Sequence, residues 1–118
     1  MQTEPQISFD GIPADPAVRD AALEHVQQLE SLFGRITGCH VVVAQPHRHH
    51  RAGRRYSVRI DLVVPGAEIV VNRDHHPDRD HDDPVVALHD AFHAARRRLE
   101  DHVRRLRTGA THQRGAPA

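Results

Sequence analysis

Two kinds of side chain dominate the chemistry open to this chain. All sixteen of its basic residues are arginine, and twelve histidines add a second reserve of nitrogen ligands and titratable groups. The arginines are not spread evenly: five fall between Arg48 and Arg59 with no acid among them, and six fall between Arg96 and Arg107 against Glu100 and Asp101. A guanidinium is planar, permanently charged and able to grip two phosphate oxygens at once, so such blocks point to a polyanionic partner. Between Asp74 and Asp83 the balance reverses, with five aspartates against Arg79, so the formal net charge of zero is a sum of separated blocks. The complete absence of lysine fits coding bias better than selection for phosphate contacts. The competing reading of the second block is a solvated helix face on which the arginines pair with Glu100 and Asp101.

The histidines open a different class of function, a histidine-rich metal-binding domain. His47, His49 and His50 lie in one expected loop, His75, His76 and His81 lie in the acidic one, and His89 and His93 stand one helical turn apart. A pair at i, i+4 can supply two ligands to a metal. In zinc proteases a Glu follows the first His of such a pair, whereas Asp90 stands there in this chain, so hydrolysis is not the expectation and no resident metal or other cofactor is expected. His75, His76, His81, His89 and His93 remain the metal candidates, with surface capture of zinc or nickel as their chemistry. The histidines could also gain charge as the cytosol acidifies, because an unperturbed imidazole titrates near pH 6.5.

Other catalytic chemistry finds no footing in the sequence. There is no glycine-rich phosphate loop and no nucleophile with an adjacent base, and the single Cys39 can make neither an internal disulfide nor a cysteine zinc site. A non-enzymatic protein of a reducing cytosol follows. No apolar run approaches the roughly 20 residues that cross a bilayer, and no charged region leads into an apolar one at the N-terminus.

The elements that must position these residues read clearly. Ile7 and Phe9 share a face of a short strand over residues 6–9. Asp15 is a helix N-cap with Pro16 at the first helical position, where its missing N–H costs nothing. Val18, Ala22, Val26, Leu29 and Phe33 then form one stripe of a helix over residues 16–33, with Gly34 as its stop. From Gly38 the period becomes two: Cys39, Val41 and Val43 share one face of a second strand, which places Cys39 inward as packing material. Tyr56, Val58, Ile60, Leu62 and Val64 share one face of a third. Pro65 and Gly66 turn the chain into a fourth, in which Ala67, Ile69 and Val71 face one way. A second helix starts at Asp83 and Pro84 and carries Val85, Leu88, Phe92, Ala95, Leu99, Val103 and Leu106 as its stripe, ending near Thr108 and Gly109. Arg97 and Arg104 are expected on one flank of that stripe, Arg98 and Arg105 on the other.

The class is therefore α+β with the order β-α-β-β-β-α: one four-stranded mixed sheet with both helices on one face, resembling the double-stranded RNA-binding domain architecture. Strands one and two are parallel, and the rest form a meander that leaves the other face wet. Residues 1–5 read as a flexible lead-in, 6–108 as the domain and 109–118 as a disordered tail. Aromatics are 3% of the chain, so its core is built from Val, Leu, Ile and Ala around Phe9, Phe33, Tyr56 and Phe92.

Leu29 to Ile36, the strands from Cys39 through Pro65 and Gly66 to Asn72 and Arg73, and the helix from Ala91 and Phe92 through Arg97, Leu99 and His102 resemble the ribosome hibernation-promoting factor and ribosome-associated inhibitor family, also called the sigma-54 modulation family. The resemblance spans residues 6–108. It implies a cytoplasmic, ribosome-associated translation inhibitor that binds small-subunit ribosomal RNA near the decoding centre and blocks the messenger and transfer RNA sites under stress or in stationary phase. Carried over by position, it implicates Arg97, Arg105 and His102. Helix geometry adds Arg98 and Arg104, and the third strand adds Arg54, Arg55 and Arg59. With few aromatics to stack on bases, such a surface would read folded RNA by shape. Gln27 and Gln28 depart from the lysine that relatives place before the Leu-Glu pair, and the acidic loop is long. Longer relatives add a dimerising domain, so the resemblance implies a short form, monomeric when free, with no DNA or membrane partner.

Overall fold

The computed structural model describes residues 3–45, 56–73 and 83–115. Six elements follow one another: β1 (Gln6–Asp10), α1 (Pro16–Leu32), β2 (Gly38–Ala44), β3 (Ser57–Val64), β4 (Ala67–Arg73) and α2 (Pro84–Gly115). Each helix begins as its Asp-Pro pair predicts. Asp15 is extended and its Oδ1 accepts from the Ala17 amide at 3.0 Å, while Asp83 Oδ1 accepts from Val85 at 2.9 Å. A cap of this kind contributes about 1 kcal/mol by satisfying an amide that the helix leaves without a partner.

The strands lie in the order β1-β2-β3-β4, with β1 and β2 parallel and the other two pairings antiparallel. Gly66 at φ 81 lets a two-residue turn close Val64 against Ala67, and that turn sets the register of the whole β3–β4 ladder. Inward positions alternate along the strands: Cys39, Val41 and Val43 meet Val58, Ile60, Leu62 and Val64, then Ile69 and Val71. Both helices lie over this face. Val18, Ala22, Val26 and Leu29 of α1 and Leu88, Phe92 and Leu99 of α2 complete one continuous core. Each fully buried Val, Leu or Ile contributes about 2 kcal/mol through removal from water, so an aliphatic core can hold the fold with few aromatics.

The structure departs from the sequence pattern in four places. Helix α1 ends because Phe33 turns extended, with its amide still bonded to the Leu29 carbonyl at 2.9 Å; Gly34 does not take the left-handed conformation expected of a glycine stop. Helix α2 continues past Gly109 to Gly115. One glycine within a helix costs only about 1 kcal/mol, and the next proline is Pro117. The outer members of its stripe, Val85 and Leu106, are exposed, and burial is instead completed by Ala87, Ala91 and Ala94. A helix of 32 residues is roughly 48 Å long while strands of seven or eight span roughly 25 Å, so α2 must overhang the sheet. Of the four aromatics, Phe92 alone is fully buried; Phe9, Phe33 and Tyr56 pack at the rim. Among the described residues no helix is long and apolar enough to cross a membrane.

Candidate nucleic-acid interface

The basic surface follows from the phase of α2. Leu88, Ala91, Ala95 and Leu99 fix the side that faces the core. At about 100° per residue, Arg97 and Arg104 then lie roughly 165–175° from the centre of that buried arc, on the side turned away from the sheet, rather than on one of its flanks. They are seven residues apart, so they stand nearly in line, roughly 10 Å from one another along the axis. Arg104 pairs with Asp101 at 3.3 Å, and Arg96 with Glu100 at 3.2 Å. Both pairs are exposed, and exposed pairs are worth little, so a stronger anion can displace them. Arg97 and Arg105 are exposed and have no acidic partner among the described residues.

Arg98 has another engagement. It lies on the flank facing β4 and donates from its guanidinium to the carbonyl of Val70. The Val64–Ala67 turn closes on a hydrogen-bonded pair, so alternate residues of β4 turn their backbone groups outward, and Val70 is one of these. Arg98 thereby occupies part of the sheet's outer edge. His102 likewise faces inward: its ring meets Phe33 edge-on at 6.5 Å, and its Nε2 is buried without a hydrogen-bond partner. It sits between the helices and not beside Arg97.

Arg59 stands elsewhere. It projects from the open face of β3, paired with Asp61 at 3.0 Å, on the side of the sheet that the helices leave uncovered. The sheet thus separates it from the α2 arginines, because neighbouring residues of a strand face opposite ways. Arg54 and Arg55 lie outside the described residues, as do His75, His76 and His81. Among the described residues no group of three or more His, Cys, Asp or Glu side chains stands where it could hold a metal ion, and His89 and His93 gather no further ligand from these residues.

Two arrangements escaped sequence reasoning. Ser8 Oγ lies 2.9 Å from His40 Nε2 on the open sheet face, so a hydroxyl and an imidazole do stand together where the sequence offered no nucleophile beside a base. The parallel β1–β2 register sets this, pairing Gln6 with His40 and Ser8 with Val42. Asp61 is the cross-strand neighbour of His40, but its carboxylate is held by Arg59. The second is between the helices, where the His25 ring stacks on Phe92 at 4.8 Å and receives His89 edge-on at 4.8 Å. Burial, and then the nearby His89, lower the pKa of His25 despite the opposing charge of Glu24. The position of His25 directly before Val26, on the edge of the α1 stripe, was the available signal. Cys39 is buried as expected, and burial followed by the charge of Asp61 raises its thiol to about 12.

The fold has solved counterparts. A ribosomal subunit interface protein from Coxiella burnetii superposes with a TM-score of 0.66 at 15% identity, covering 83% of this chain and 94% of that one. The N-terminal domain of Thermus thermophilus Protein Y gives 0.65 at 14% identity, over 85% and 99%. At such identities the likeness establishes the β-α-β-β-β-α fold. Among curated proteins none matches significantly. The family model described as sigma 54 modulation protein / S30EA ribosomal protein matches residues 6–107, from the first strand to the arginine block of α2. That match spans nearly the whole chain and every element of the sheet, so the protein belongs to the sigma 54 modulation protein / S30EA ribosomal protein family.

Proposed function

We propose that this ribosome-associated family member binds ribosomal RNA of the small subunit near the decoding centre and blocks the messenger and transfer RNA sites, idling translation under stress or in stationary phase. It acts as a binding protein without catalysis. The observation that carries the reading is the exposed arginine set of α2: Arg97 and Arg104 form the outward row, Arg104 in an exposed pair with Asp101, and Arg105 stands exposed on the flank it shares with Arg98, while Arg97 and Arg105 have no acidic partner among the described residues. A rigid helix that overhangs its sheet can lay such a row against folded RNA, with guanidinium groups meeting phosphates and the fold's shape setting the register. The hibernation role extends the same binding: whatever occupies the decoding region denies it to other ligands.

The test is co-sedimentation of the purified chain with vacant small subunits across a salt series. About five phosphate contacts predict a loss of affinity on the order of a hundredfold between about 50 and 200 mM salt. Absence of binding in dilute buffer, or binding that barely responds to salt, refutes the reading. Arg59 belongs to a second surface, so Arg59→Gln is expected to leave sedimentation unchanged.

A further inference from the structure

Beside the outward arginine row, the two helices enclose a groove of about 150 Å³. Its polar lining is His25 and Gln28 from α1 and His89, His93 and Arg96 from α2. Positions 89, 93 and 96 follow the i, i+4, i+7 spacing that puts three side chains on one helix face. The floor is Phe92, on which His25 is stacked with the ring planes 9° apart. No carboxylate lines the groove. Acids stand around the groove and not in its lining: Glu24 adjoins His25 on α1, Asp90 follows His89 on α2, and Glu100 accepts from Arg96 Nε at 3.2 Å.

A pocket lined by three imidazoles and a guanidinium is the wrong place for a cation and a good place for an anion. The imidazoles do not converge as metal ligands must. A tetrahedral oxyanion asks less of its donors, accepting several N–H groups from different directions at about 2.8 Å. We propose that the α1–α2 groove is a proton-dependent seat for a phosphate group, held by His25, His89, His93 and Arg96 when the imidazoles are protonated and released when they are neutral. The site deepens the ribosome reading, and it rests on that reading only for the source of the phosphate, which could be an RNA phosphodiester or a free anion.

The proton dependence follows from crowding. His25 is half-buried and 4.8 Å from His89, so without an anion a second positive charge there is opposed by burial and by its neighbour. A bound oxyanion supplies negative charge at that spot and favours the charged imidazoles. Binding and protonation are therefore linked: the anion draws protons in, and acid draws the anion in. Within the cell such a seat would tighten as the cytosol acidifies.

The experiment follows the imidazole C–H resonances of the full chain by NMR at constant ionic strength, replacing chloride with sulfate, whose charge stays fixed over the titration. The expected result is that sulfate moves His25, His89 and His93 together and raises their midpoints. His40, on the far face of the sheet, should not respond. One linked proton makes sulfate binding at least about tenfold tighter near pH 5.5 than near pH 7.5. His89→Gln with His93→Gln, both exposed positions, should abolish the effect while leaving the remaining spectrum in place. Midpoints that ignore sulfate, an equal response from His40, or an undiminished effect in the double variant overturns the proposal. A short RNA duplex forms the second arm. If it reproduces the shifts, the seat takes RNA phosphate; if sulfate alone acts, the seat stands as a free-anion site. Because the double variant keeps Arg97, Arg104 and Arg105, it should still pellet with small subunits near pH 7.5, so loss of the seat and loss of the ribosome reading give different results.

Discussion

The guanidinium of Arg98 donates to the carbonyl of Val70, tying α2 to the outer edge of β4. An edge strand presents unpaired backbone groups that invite another chain, and a charged side chain laid over one of them blunts that edge. Arg98 and Arg97 are thus adjacent in the chain but separate in function, since Arg97 points away from the sheet.

That separation predicts opposite outcomes for two glutamine variants. Arg98→Gln should lower stability by about 1 kcal/mol, the net worth of a hydrogen bond from a charged donor at an exposed site. Arg97→Gln with Arg105→Gln should leave the melting temperature unchanged and reduce the slope of log affinity against log salt by about two in small-subunit binding. Thermal melts and a salt series on the same proteins check both. A destabilised Arg97/Arg105 variant with wild-type salt dependence would reverse the assignment.

Two leucines of the α2 stripe, one over the sheet and one on the overhang, should behave differently although the sequence places them in one class. Leu99 is fully buried, and Leu99→Ala should cost about 2–5 kcal/mol through lost transfer energy and the cavity left behind. Leu106 is 41% exposed on the overhang, and Leu106→Ala should change stability by less than about 0.5 kcal/mol. Denaturant unfolding of the two variants measures the contrast.

Cys39 offers a probe of the closed core. Its thiol is pushed up to about 12, so in the folded protein it carries almost no thiolate at pH 8. Alkylation by iodoacetamide should be slow in buffer and become fast in denaturant, with mass spectrometry reading the adduct. Rapid modification of the native chain would mean that β2 opens readily between β1 and β3.

Which features could be read from the sequence depended on how local their causes are. Asp15-Pro16 and Asp83-Pro84 mark both helix starts because a cap is made within three residues. The alternation from Tyr56 to Val64 reveals β3 because one strand carries its own period. Arg98 could not be matched to Val70 in this way, since that contact needs β4 to be an edge strand and the ladder to have the phase set by the Pro65-Gly66 turn. Val85 and Leu106 kept the helical period but lost their partners, because a period reports the phase of a face and not the length of the sheet beneath it. The separation of Arg59 from Arg97 has the same origin: both are basic, and only the assembled layers put them on opposite surfaces. Ser8 and His40, and His25 and Phe92, meet across 32 and 67 positions of chain.

The stacked His25 also predicts how the fold responds to acid. Burial and His89 hold its folded pKa below the unfolded value of 6.5. Between these two values the unfolded chain binds the proton and the folded chain does not, so acid favours unfolding. The stability contributed by neutral His25 is therefore fully present above pH 6.5 and is lost as the pH falls through the folded midpoint. Calorimetric melts in chloride should show the melting temperature falling from about pH 7 to pH 5.5. His25→Gln removes the titrating group along with the stacking on Phe92, so its absolute stability is lower and the informative quantity is the slope. That slope should be shallower than in the parent chain. Sulfate should flatten the slope of the parent and leave the variant's nearly unchanged, because the anion compensates a charge that the variant no longer carries. Equal slopes in parent and variant would assign the acid response to other histidines and leave the His25–Phe92 stack a purely packing contact.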